Sequence, residues 1–178
     1  LELARVRLTV SDPVVGQLRL KWWYDAAEKL GSGTAPNHPV VQAMDYIVRE
    51  RGIDTVDLLS LVQAHADDLA PTQPAHMDDL YRYVDGTAGV IQHLAVRIVD
   101  PDATNDTKAA AAGVAQAWGL SRLLWAAPLH AARGWLYLPA ELNGADSCVM
   151  VADLRALRAD VVPPDHVIAS LRLIAEAA

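Results

Sequence analysis

The chain has 178 residues, of which 52% are apolar and 21% are charged, with a formal net charge of −7. This composition is typical of a folded globular protein and excludes a disordered chain. The acidic balance argues against nucleic-acid binding, because contacts to phosphates require a basic face, and no apolar run approaches the roughly 20 residues that span a bilayer.

Helices are the only regular elements that the sequence predicts. The first residues form a short helix before "SDP", where Asp12 and Pro13 mark the start of a second one. Apolar residues then recur at three- and four-residue spacing until Gly31 to Gly33. Further helices are predicted near 39–51, 55–70, 76–99, 107–128 and 164–177. "GWLYLP" is expected to be an extended exit from a helix rather than a paired strand.

These elements predict an all-α fold with a single domain over residues 1–178. Cys148 is the one cysteine, which excludes an internal disulfide and a cysteine-based zinc site. The chain starts without Met, and "ASLRLIAEAA" ends in a helical pattern without a cap. We therefore expect a chain that is truncated at both ends.

Gly86 and Gly89 in "DGTAG" fall inside the predicted helix 76–99. Each glycine costs about 1 kcal/mol relative to alanine in a helix, so another effect should offset it. One explanation is a kink or close packing between helices. The other is that the missing side chains leave room for a ligand in a cavity.

Several segments together resemble the squalene/phytoene synthase family. They are "GQLRLKWWYDAAEKLGSG", "HPVVQAM", "DLYRYVDGTAGVIQHLA" and "GVAQAWGLSRLLWAAPLHAARGWLYLP". The resemblance covers residues 1 to about 142, and the R-G-x-x-Y-L-P ending is its most specific part. It implies an isoprenoid-synthase-like helical bundle with a central cavity, in which active members condense two prenyl diphosphates.

The resemblance also implies where magnesium ligands would lie. Active members hold Mg²⁺ with two D-x-x-x-D motifs, whose carboxylates share one helix face and bridge through the metal to the diphosphate. Counting back from "RGWLYLP", the second motif falls on Ala126 and His130, neither of which is acidic. The first motif falls near Glu2, and the residue four positions on is Val6. No cofactor is expected with these residues.

Other residues are candidates for ligand contacts. Arg122, Arg133 and Tyr137 resemble family positions at the cavity mouth, where they would bind an anion or headgroup; the alternative for each is a structural role. Tyr83 lies on the family's tyrosine-bearing helix with Gly86 and Gly89. Asp85 either lines the cavity or has a capping or surface role.

His65, Asp67 and Asp68 in "HADD" have a spacing that could bind one divalent ion. The alternatives are a solvated helix end or an acid that hydrogen-bonds neighbouring segments. In "KWWY", an exposed Trp22 or Trp23 beside Lys21 could touch a membrane interface or a protein partner, and core packing is the alternative.

The missing acids favour a catalytically degenerate member of the family. The pattern resembles the branch that includes a mitochondrial assembly factor for respiratory complex I. This implies protein partners in a membrane complex or binding of an apolar lipid such as an isoprenoid. The expected location is the bacterial cytoplasm or the mitochondrial matrix, with peripheral membrane contact. The alternative is an active, Mg²⁺-dependent prenyl-diphosphate transferase. Its first motif would lie in missing upstream sequence, and its second site would be rebuilt from Asp67, Asp68 or Asp85.

Overall fold

The computed structural model describes residues 2–69, 73–143, 152–154 and 164–176, and the regular structure within them is entirely helical. The all-α prediction is confirmed. Cys148 lies outside the described residues. The α-helices are α1 (Glu2–Thr9), α2 (Pro13–Glu28), α3 (Pro39–Arg51), α4 (Thr55–Ala64), α5 (Met77–Val84), α6 (Val90–Val99), α7 (Asn105–Ala132) and α8 (Asp165–Glu176).

The helix starts follow the local signals in the sequence. The Asp12 carboxylate accepts a hydrogen bond from the Val14 backbone N–H at 2.8 Å, with Pro13 at the first helical position. Asp54 caps α4 in the same way, through the Val56 N–H at 2.9 Å. Each cap satisfies a donor that the first turn of a helix leaves without an intrahelical partner.

The described residues form two compact units. The first takes its residues from 1–70 and 89–112. Within it, α2 packs against α1 and α4, and α6 packs against α3 and α4. Two buried apolar clusters hold it together. One consists of Ala26, Ala27, Leu30 and Val41, and the other of Val6, Leu20 and Val62.

A buried carboxylate fixes the turn between α2 and α3 in this unit. Asp45 is 3% exposed and accepts a hydrogen bond from the Gly31 N–H at 2.7 Å. Arg49 pairs with the same carboxylate. Gly31 has a φ of 76°, a left-handed conformation that favours glycine. The turn therefore depends on both the glycine and the acid.

The second unit takes its residues from 71–88 and 113–178. It contains α5, most of α7, the exit that follows α7, and α8. Its core is one continuous apolar cluster. The buried members are Leu80, Val84, Leu120, Ala127, Ala131, Leu138, Leu154, Val167 and Ile174.

Three predicted helix boundaries are wrong. The helix from 55 ends at Ala64 and is followed by a short 3-10 turn, Asp67–Leu69. The predicted helix 76–99 is interrupted by a π-helical turn, Asp85–Gly89. The helix predicted to end at 128 continues to Ala132 through Pro128. Buried Ala127 and Ala131 anchor that last turn in the core, which offsets the hydrogen bond that Pro128 cannot donate.

The π-helical turn explains how two glycines fit into a helix. A π turn inserts one extra residue and locally changes the helix direction. The Thr87 hydroxyl donates to the Tyr83 carbonyl at 2.7 Å, which gives that oxygen a partner within the turn. The turn supports the kink explanation for Gly86 and Gly89.

Candidate functional site

The R-G-x-x-Y-L-P exit after α7 is held in place by the segment that leads into α5. The Ala140 N–H donates to the Pro74 carbonyl at 2.8 Å, and the Glu141 N–H donates to the Ala75 carbonyl at 3.2 Å. The Gln73 side-chain amide donates to the Leu138 carbonyl at 2.8 Å. The predicted extended exit is confirmed, and these three hydrogen bonds hold its end against the segment before α5.

Glu141 extends this connection to the start of α5. Its carboxylate accepts from the Met77 N–H at 2.6 Å and lies 2.9 Å from the Nδ1 atom of His76. The hydrogen bond and charge of Glu141 raise the pKa of His76. The pKa of Glu141 is lowered, mainly by the hydrogen bond with His76 and next by the hydrogen bond from the Met77 N–H. The carboxylate also lies at a helix N-terminus, where negative charge is favoured.

Glu141→Gln should therefore destabilise the protein in a pH-dependent way. The lowered pKa of Glu141 gives stability that is present above about pH 4.5 and is lost as the pH falls through the folded value. The raised pKa of His76 gives stability that is present below about pH 6.5 and is lost as the pH rises through the folded value. The melting temperature should drop more at about pH 5.5 than at about pH 8.5.

Differential scanning calorimetry at the two pH values measures this difference. Glu176→Gln, at an exposed acid at the end of α8, is the matched control and should show no such pH dependence. An equal drop in melting temperature at both pH values would show that the His76 interaction contributes nothing.

Three of the residues singled out in the sequence come together beside the exit. The rings of His130 and Tyr137 have centroids 4.9 Å apart, and those of Tyr83 and Tyr137 are 5.2 Å apart. All three side chains are partly buried. Tyr137 thus links α7 to α5 through ring contacts, which supports the structural alternative for this tyrosine.

The two arginine candidates contact tryptophan rings instead. The Arg122 guanidinium lies 5.8 Å from the Trp118 ring centre and 5.3 Å from that of Trp125. Arg133 lies 5.9 Å from the ring centre of Trp135. Both arginines are exposed, as is Asp85 at the start of the π turn. Trp118 and Trp125 were not among the predicted site residues, although their seven-residue spacing places them on one face of α7.

The residues that the resemblance places at the family's metal positions do not fit a magnesium–diphosphate site. Ala126 offers no donor atom, and the imidazole of His130 is a poor ligand for Mg²⁺, which prefers oxygen. On α1, the Glu2 carboxylate lies 4.0 Å from the Arg5 guanidinium. Within the described part of the chain, no group of three or more His, Cys, Asp or Glu side chains could hold a metal ion.

Glu2 borders a cleft in the first unit. The cleft has a volume of about 370 Å³ and lies between α1 and α2. Its polar lining is mainly cationic, from Arg5 and Arg19, and its aromatic lining comes from Trp22 and Trp23. The Trp22 and Trp23 rings contact each other edge to face at 4.9 Å, and Trp22 is 42% exposed.

The His65 and Asp68 side chains pair with each other. Nδ1 of His65 lies 2.8 Å from a carboxylate oxygen of Asp68, and the residues are 7% and 6% exposed. Of the two structural alternatives, this pair fits a hydrogen-bonded acid and not a solvated helix end, because both residues are buried and the 3-10 turn places Asp68 beside His65. Asp67 points to solvent and does not join the pair.

The fold and these residues define an all-helical protein with an R-G-x-x-Y-L-P exit after α7 and no acid at Ala126 or His130, where the resemblance places the second metal motif. The squalene/phytoene synthase family matches residues 1–178, through both units. The chain belongs to this family. The resemblance read from the sequence is thereby confirmed.

Curated relatives of this chain share one name, which is that of an assembly factor or its homolog. The protein named NADH dehydrogenase (ubiquinone) complex I, assembly factor 6, from Mus musculus is 25% identical over 79% of this chain and 42% of its own length. The Homo sapiens protein of that name gives the same figures. Its Dictyostelium discoideum homolog is 20% identical over 72% of this chain and 36% of its own length. The chain thus spans about two fifths of these relatives. No solved structure matches.

Proposed function

We propose that this chain is the squalene/phytoene synthase-like part of a non-catalytic assembly factor for respiratory complex I. The observation that carries the proposal is the pair of side chains at the second metal motif, Ala126 and His130. Neither can supply the carboxylate oxygens that hold Mg²⁺ against a diphosphate, while the helix that bears them is packed in the core through Ala127 and Ala131. The scaffold is retained and the metal ligands are not.

The relatives support this role because their shared name is that of an assembly factor for complex I. An assembly factor acts through contacts with protein partners, for which a rigid helical scaffold is sufficient. The proposed location follows from the same role: the mitochondrial matrix or the bacterial cytoplasm, at the surface of the membrane that holds the complex. Across the described residues, no helix is long and apolar enough to cross a membrane.

Deletion of the gene that encodes the chain tests this function. Blue-native electrophoresis of membranes, stained for NADH dehydrogenase activity, should show less assembled complex I in the deletion strain. Expression of the native gene should restore the level. A second respiratory complex in the same membranes serves as the internal control and should be unchanged. Unchanged complex I in the deletion strain would overturn the proposal.

A further inference from the structure

One face of α7 exposes large apolar side chains to solvent. We call it the tryptophan face, and it consists of Val114, Trp118, Arg122, Trp125 and Leu129. The two tryptophans are 60% and 78% exposed, and Val114 and Leu129 are 63% and 53% exposed. Burial of such side chains would be favourable by about 25 cal/mol per Å². The second unit therefore carries an apolar stripe that its own core does not use.

The five residues form a continuous stripe along the helix. At about 100° per residue they fall within a sector of roughly 80°, and the stripe is about 22 Å long at 1.5 Å per residue. Arg122 lies between the two rings, near enough to both for cation–π contacts. The face is thus apolar along its length, with a single cation at its centre.

The net charge of the stretch that carries this face is opposite in sign to that of the whole protein. Residues 107–140 contain no Asp or Glu, although the chain has 22 of them and a net charge of −7. The ionised residues of this stretch are Lys108, Arg122 and Arg133. The exposed apolar residues of α2 have no comparable setting, because Asp25 and Glu28 lie on that helix. The charge of the stretch that carries the tryptophan face is complementary to an anionic partner.

We infer that the tryptophan face binds the surface of an anionic lipid bilayer. Tryptophan rings favour the headgroup level of a bilayer, where one part of the side chain is apolar and the indole N–H can stay hydrated. A helix that lies in the plane of the interface buries one apolar face and gains further affinity from cations that contact anionic lipids. Arg122 provides that cation between the two rings. This inference rests on the proposed location at a membrane and names the surface responsible.

Vesicle co-sedimentation of the intact protein tests the inference. The native protein should sediment with vesicles of phosphatidylcholine and phosphatidylglycerol in equal parts, and less with phosphatidylcholine alone. The double substitution Trp118→Ala and Trp125→Ala should lower the partition coefficient at least about tenfold, because most of the inserted apolar area is removed. Arg122→Glu, which keeps both rings, should lower binding to the anionic vesicles about fivefold or more.

Tyr46→Ser is the matched control, since Tyr46 is a 62% exposed aromatic residue on α3 in the first unit. It should leave vesicle binding unchanged. Circular dichroism of each variant should match that of the native protein, because the replaced side chains are exposed. Failure of the native protein to bind anionic vesicles, or equal binding by the double variant, would overturn the inference.

The same variants separate this inference from the proposed function. Suppose that the native protein does not bind vesicles and that the double variant fails to restore complex I in the deletion strain. The tryptophan face then binds a protein and not a membrane. That outcome overturns the membrane assignment and leaves the assembly role standing. Conversely, if the native protein binds vesicles strongly and deletion leaves complex I unchanged, the membrane assignment stands and the assembly role is overturned.

Discussion

Incubation of the intact protein with farnesyl or geranylgeranyl diphosphate and Mg²⁺ is expected to release pyrophosphate at least about four orders of magnitude more slowly than an active family member does. Loss of a single electrostatic contact in a transition state commonly costs 10²- to 10³-fold in rate. Here the positions that the resemblance assigns to the second motif carry Ala126 and His130, neither of which is acidic. Without metal ligands, nothing at these positions neutralises the departing diphosphate.

Restoration of the second motif alone should not recover the activity. The double variant Ala126→Asp and His130→Asp would supply two carboxylates on α7. On α1, however, Glu2 faces Arg5, and Val6 is buried four residues further on. The assay measures pyrophosphate by enzyme coupling, with an active family member as the positive control. Turnover by the native protein at an ordinary enzymatic rate would contradict the degenerate assignment.

Gly119→Val should destabilise the protein by about 3 kcal/mol. Gly119 is buried in α7, and a Cβ atom built there would lie 2.5 Å from Cγ1 of Val84 and 3.2 Å from Cβ of Ala88. Val84 is 1% exposed, and its β-branched side chain has little freedom to move away. The gain in helix propensity over glycine is smaller than this cost. Chemical denaturation measures the change in the free energy of unfolding.

Gly113→Ala on the same helix is the matched control. Apart from its chain neighbours and the helix's own backbone, no atom lies within 4 Å of a Cβ atom built at Gly113, so the substitution should only gain helix propensity. We expect stabilisation of up to about 1 kcal/mol. If Gly119→Val were tolerated as well as Gly113→Ala, the close approach of α7 to α5 would be refuted.

Local signals in the sequence were sufficient to predict most helices. Asp12 and Pro13 start α2, and the glycines near residue 31 end it, because these effects act within one turn. The ends of α4 and α7 were predicted less well. The end of α4 involves a buried local pair, since Asp68 contacts His65 only three residues earlier. The end of α7 depends on tertiary packing, because buried Ala127 and Ala131 hold the helix together across Pro128.

In the candidate site, too, some features could be predicted from the sequence and others depend on contacts between distant residues. From the sequence, the second motif could be placed on Ala126 and His130 as a prediction, by counting back from the R-G-x-x-Y-L-P exit. The contacts of Tyr137 with Tyr83 and His130 could not, since they join residues distant in sequence. Glu141 was not singled out either, because its partners at the start of α5 lie 64 and 65 residues away. The exposed tryptophans could have been predicted, because Trp118 and Trp125 belong to a series of residues on α7 that are spaced by three or four positions and so share one helix face.

The most direct test of a non-catalytic assembly role compares two quantities in the same deletion strain. One is the amount of assembled complex I, and the other is the pool of condensed polyprenyl products, measured by mass spectrometry of lipid extracts. We predict that deletion lowers assembled complex I and leaves the polyprenyl products unchanged, and that the native gene restores the complex. A fall in polyprenyl products with complex I intact would contradict the account.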